Sequence, residues 1–72
     1  MKYQGNLQRI RQERGYSQSM LARASGVSLR MIQYYEQGAK DINQAAASTV
    51  WRLAEALNCH MEEIIDTQDI DF

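Results

Sequence analysis

The sequence predicts an all-α fold, on three observations. Apolar residues recur at helical spacing along the chain, and no stretch alternates apolar and polar as a half-buried strand does. Proline is absent, which removes the commonest helix breaker. Glycine, serine and asparagine stand where helices need stops and caps. Seventy-two residues make one domain, near the lower limit at which a hydrophobic core folds a chain unaided.

The elements follow in order. A first helix is expected from about Tyr3 to Arg14, with Leu7 and Ile10 inward and Gly15 ending it. Ser17 is placed to cap a second helix, Gln18 to Ala24, whose Leu21 and Ala22 point inward. Gly26 suits the left-handed residue of a tight turn, with Val27 plugging the space beneath it. Ser28 caps a third helix, Leu29 to Gln37, which Gly38 stops. The segment "AKDIN" reads as a loop, with Asn43 as the cap of a fourth helix from about Gln44 to Leu57. Val50, Leu53, Ala54 and Leu57 form the inward stripe of that helix, and Asn58 takes the left-handed position after it. A fifth, short helix covers Met61 to Ile65. Residues 1–65 are thus read as one binding domain and 66–72 as a short acidic tail that frays by default.

Composition is that of a soluble globular chain, 44% hydrophobic and 24% charged. No apolar run approaches the roughly 18 residues of a membrane span, and no segment resembles a cleavable signal peptide. The single cysteine, Cys59, allows no intrachain disulfide, so a reducing, cytoplasmic setting is expected. The net charge of −1 hides a division. Residues 1–40 hold seven lysines and arginines against Glu13 and Glu36, and residues 41–72 hold Arg52 against seven acids. Such a chain can turn a basic face to a polyanion while remaining near neutral overall.

On a wheel at about 100° per residue, Met31, Ile32 and Tyr35 share the inward arc of the third helix. Leu29, Arg30, Gln33 and Tyr34 share the opposite arc, and Glu36 lies on the border. The outward set is one that a DNA major groove accepts. Arginine can grip guanine through two hydrogen bonds, glutamine can do the same with adenine, and leucine can rest on a thymine methyl. Tyr34 can reach a base or a phosphate. Ser28 and the amides of the helix N-terminus can hold phosphate, as can Gln18 at the start of the second helix.

The stretch Ser17–Gly38 resembles the helix-turn-helix of the Cro and phage-repressor-like (XRE-type) regulators. The resemblance rests on "SQ" at Ser17–Gln18, "LA" at Leu21–Ala22, "GVS" at Gly26–Ser28, Ile32, "YE" at Tyr35–Glu36 and Gly38. It continues through "RLAEALN" at Arg52–Asn58 and "MEEII" at Met61–Ile65, covering about residues 7–65. It implies a compact five-helix repressor-like domain whose second and third helices form the motif. By the same resemblance, Gln18 contacts phosphate or buttresses the third helix, and Leu29, Arg30, Gln33 and Tyr34 face the bases or their flanks. Gly38 and Lys40 fall in a loop that approaches phosphate, and Arg11 and Glu36 form a structural salt bridge. Two positions depart from the pattern: Leu29 is apolar where a polar reader is common, and His60 stands where serine or threonine is the usual cap.

Other features receive structural readings. Trp51 is assigned to packing in the fourth helix. Cys59 and His60 are adjacent, and no second cysteine or histidine completes a ligand set, so neither a metal nor a nucleophile is expected. Glu62 and Glu63 suit the first turn of the fifth helix, with Glu63 placed for a capping box. No cofactor motif and no catalytic constellation is visible.

The expected function is a double-stranded DNA-binding regulator, acting as a repressor dimer on a near-palindromic operator. Two half-sites would then lie one helical turn apart, about 34–36 Å. In the family that the motif resembles, dimers often form through the region around the fourth and fifth helices, which makes Met61, Ile64, Ile65, Ile70 and Phe72 the apolar candidates for the dimer contact. The alternative is a protein-binding adaptor or antitoxin-like partner that engages a basic protein through the acidic half from Asp41 onward, with DNA binding secondary.

Overall fold

The computed structural model describes residues 5–65. Among them are five α-helices and no strand: α1 (Asn6–Glu13), α2 (Gln18–Ser25), α3 (Leu29–Gln37), α4 (Ala47–Leu57) and α5 (Met61–Ile64). A single 3-10 turn, Ile42–Gln44, interrupts the connection between α3 and α4.

Local chemistry explains most of the boundaries. The start expected for α1, at Tyr3, lies outside the described residues. Its end is closed by Gly15, where the Tyr16 amide donates back to the Arg11 carbonyl at 3.1 Å and Gly15 to Gln12 at 3.0 Å. The hydroxyls of Ser17 and Ser28 accept from the Met20 and Met31 amides, capping α2 and α3 as expected. Gly26 takes a φ of +76° between the two helices, a conformation that costs a residue with a Cβ but not glycine. Val27 is buried beneath this turn, and the Ser25 hydroxyl accepts from its amide. Asn58 ends α4 with a φ of 55°.

Three expectations are corrected. Asn43 does not cap α4. Asp41 captures the turn, its carboxylate accepting from the Asn43 amide at 3.0 Å, while Ile42 buries its side chain in the core. The chain makes its 3-10 turn there, and α4 begins at Ala47 with no side-chain cap. Trp51 does not pack in the core but stands 53% exposed. The buried stripe of α4 is Val50, Leu53, Ala54 and Leu57, as expected, and Trp51 sits about 110° around the helix from its centre. Ile64 is wholly enclosed in the core, so it is no surface contact for a second chain. Met61 and Ile65 are half-buried; Ile70 and Phe72 lie outside the described residues.

α2 is the central element, packed against both α3 and α4, while α1 lies against α3 and α5 and α4 against α5. Leu21 of α2, Ile32 of α3, Leu53 and Leu57 of α4 and Ile64 of α5 are fully enclosed. Each such side chain contributes about 1.5–3 kcal/mol of burial, so the angle between α2 and α3 is held by the core rather than by the turn alone. Polar ties close the periphery. Arg14 Nε donates to the Leu57 carbonyl at the end of α4, Asn6 Nδ2 donates to the Ile65 carbonyl, and Glu63 accepts from the His60 amide. No helix among the described residues is long and apolar enough to cross a membrane.

Candidate nucleic-acid interface

α3 is presented to solvent by what happens on its other side. Ile32 and Tyr35 are buried and Met31 is half-buried, so the inward arc expected of this helix is the one the core takes up. Leu29 and Arg30 are exposed at its N-terminal end, with Gln33 and Tyr34 half-buried on the same outward arc. Arg30 makes no ion pair among the described residues, so its guanidinium keeps all five donors. The Ser28 hydroxyl is exposed and spends one lone pair on the Met31 amide, which leaves its proton free to donate.

Glu36 is the fixed point of the helix. It is only 4% exposed. Oε2 accepts from Arg11 Nε at 2.7 Å, and Oε1 accepts from Arg11 Nη2 at 3.0 Å and from Gln18 Nε2 at 2.9 Å. Arg11, 8% exposed, gives its remaining Nη1 to the Tyr16 carbonyl at 2.7 Å. One carboxylate therefore ties α1, the N-terminus of α2 and α3 together. A two-pronged arginine–carboxylate contact fixes orientation as well as distance. The arrangement sets the rotation of α3 about its own axis, and with it which residues face out.

Gln18 is half-buried and acts here as a buttress, with one Nε2 hydrogen spent on Glu36 and the other still available. Lys40 is exposed after the left-handed Gly38, where the Ala39 and Lys40 amides both donate to the Tyr34 carbonyl at 2.9 and 3.2 Å. This return brings the Lys40 ammonium to 5.8 Å from the centre of the Tyr34 ring, within cation–π range. Spacing alone does not announce that pairing, because the partners are six positions apart and only the helix stop brings them together. The structure thus gathers Ser28, Leu29, Arg30, Gln33, Tyr34 and Lys40 at α3 and its end, with Gln18 behind them.

The other chemistry-bearing residues form no site. Burial, and after it the Glu63 carboxylate, push the Cys59 thiol up from its ordinary value, with Arg14 pulling partly the other way. A thiol held protonated is a poor nucleophile and a poor ligand. Among the described residues no group of three or more histidine, cysteine or acidic side chains can hold a metal ion.

Residues 7–64 match the sequence profile of a family described as helix-turn-helix. Comparisons with curated proteins and with solved structures each gave no significant match. With a capped helix, a left-handed glycine turn and a second capped helix inside the matched residues, which make up most of the chain, the chain belongs to the Cro/C1-type (XRE) helix-turn-helix family of DNA-binding domains.

Proposed function

We propose that the chain is a sequence-specific transcriptional repressor, acting in the cytoplasm by occupying an operator in double-stranded DNA as a dimer. The observation that carries this reading is the outward arc of α3, where Arg30 and Gln33 stand free on a helix whose rotation is fixed from behind by Glu36. With α3 in the major groove, Arg30 grips a guanine through O6 and N7, and Gln33 addresses an adenine. Leu29 rests on a thymine methyl. Tyr34, Lys40, Ser28 and the second hydrogen of Gln18 hold the flanking backbone, which sets register rather than sequence. No catalytic step enters; repression is exclusion of other proteins from the occupied site.

One such module contacts few base pairs, so tight and specific binding calls for two copies on a near-palindromic site, with the two α3 helices about 34–36 Å apart. The test is a binding selection of the purified chain against random duplex DNA near physiological ionic strength. A recovered motif with two half-sites about ten base pairs apart is the expected result. Enrichment of no sequence, at low salt as well, would overturn the reading in favour of a protein partner for the exposed acids Glu55, Glu62 and Glu63.

A further inference from the structure

Tyr34 and Lys40 are tied together twice. The left-handed Gly38 turns the chain back after α3, and the Ala39 and Lys40 amides both donate to the Tyr34 carbonyl, at 2.9 and 3.2 Å. The same return sets the Lys40 ammonium 5.8 Å from the centre of the Tyr34 ring. Backbone and side chain of Lys40 therefore rest on one residue. Tyr34 is half-buried and Lys40 exposed, so the ring is the better-fixed member of the pair.

The acid beside Lys40 in sequence is not its partner. Asp41 turns its carboxylate to the Asn43 amide, and Lys40 makes no ion pair among the described residues. A carboxylate would hold the ammonium but cancel its charge, and that pair would have to break before the ammonium could serve another anion. A ring attracts the ammonium through its quadrupole and leaves the charge uncompensated. Lysine has a long, freely rotating stem, and ordering it only on contact with an anion costs rotamer freedom. Over the Tyr34 ring the stem is already narrowed in the free chain.

Tyr34 shares the outward arc of α3 with Arg30 and Gln33, where a tyrosine has two other uses: reading a base edge, or giving its hydroxyl to a phosphate. Neither use calls for a lysine over the ring, and holding the lysine calls for no hydroxyl. We propose that Tyr34 is a positioning residue, whose ring holds the Lys40 ammonium, still charged, at the end of α3 for the DNA backbone. The proposal rests on the DNA-binding reading above and deepens it, assigning Tyr34's share in it to the ring. Because phosphates are alike at every base pair, that share is independent of sequence.

The test is a double-substitution cycle on the whole chain. Tyr34→Leu, Tyr34→Phe, Lys40→Ala and the pair Tyr34→Leu with Lys40→Ala are titrated with a selected duplex and with an unrelated one. NMR of the chain without DNA reads the contact itself, since the ring current moves the Lys40 Hε signals upfield. Tyr34→Phe should keep that shift and the affinity; Tyr34→Leu should lose the shift and weaken both duplexes by about two- to fivefold. In the Lys40→Ala background Tyr34→Leu should have no further effect, which distinguishes positioning from a general loss of folding. Three results overturn the role: Tyr34→Phe as harmful as Tyr34→Leu, a change in base preference, or the same loss with Lys40 absent. Any of these, in a chain that still binds and selects DNA, leaves the regulator reading standing. A wild-type chain that binds no duplex, at low salt as well, would sink that reading and this role with it.

Discussion

Arg11 and Glu36, 25 positions apart in sequence, meet in a buried two-pronged ion pair that joins the first helix to the third. Both carboxylate oxygens are occupied, and Gln18 completes the shell from the second helix. The pair thus couples the stability of the domain to the orientation of its exposed α3 arc.

Removing one member leaves a buried charge without its partner. Arg11→Met or Glu36→Leu should each lower the unfolding free energy by about 3–5 kcal/mol, a large share of what a domain of this size has. The double substitution should cost clearly less than the sum of the two, because no charge is then left unanswered. Urea titrations of the three variants check this. Strictly additive losses would mean that the two side chains do not act as a pair.

At the turn between α2 and α3, the cost of a side chain is conformational alone. A Cβ on Gly26 would meet no atom within 4 Å, but the backbone holds φ at +76°. Gly26→Ala should therefore destabilise by about 1–2 kcal/mol, the cost of a left-handed L-residue. The folded variant should keep its spectrum and its base preference. A near-zero cost in denaturant titration would show that the turn relaxes out of the left-handed region.

Cys59 gives a pH-dependent readout. Burial and Glu63 raise its folded pKa above the ordinary 9.0. The folded state therefore binds the thiol proton more tightly than the unfolded state. The resulting stabilisation is fully present below pH 9.0 and is lost as pH rises through the folded value. Alkylation by iodoacetamide should follow a pH profile displaced to higher pH in the native chain than in the chain unfolded in urea. Coincident profiles would contradict the assigned environment.

Lys40 is expected to act on the DNA backbone without regard to sequence. Lys40→Ala should weaken all duplexes by a similar factor and make the slope of log K against log salt shallower by about 0.9, one phosphate's worth. Titrations at several salt concentrations, on the selected site and on an unrelated duplex, measure both effects. An unchanged slope would place Lys40 against Tyr34 only, as packing.

Much of this was legible in the sequence because the deciding forces are local. α3 runs from Leu29 to Gln37, the range expected from its serine cap and glycine stop, both of which act within a few residues. The left-handed Asn58 was legible for the same reason. The start of α4 was not. Asp41 and Asn43 are both good turn formers two residues apart, and the choice between them is made by Ile42 entering the core, a tertiary contact. The exposure of Trp51 was not legible from its match to a core position of the fourth helix, although its wheel position puts it off the buried stripe of Val50, Leu53, Ala54 and Leu57. The Lys40–Tyr34 contact needed the path of the chain after Gly38, which spacing alone does not supply.

The central claim is that the outward arc of α3 reads base pairs, and Arg30 tests it most directly. The selection on random duplexes should be run in parallel with the wild-type chain and with Arg30→Ala, comparing preference at each position of the recovered site. Preference should be lost at one base pair in each half-site, at a cost of about 1–3 kcal/mol, with the remaining positions unchanged. Weakening by the same factor at every sequence, with the base preferences intact, would contradict the claim and reduce Arg30 to a phosphate contact.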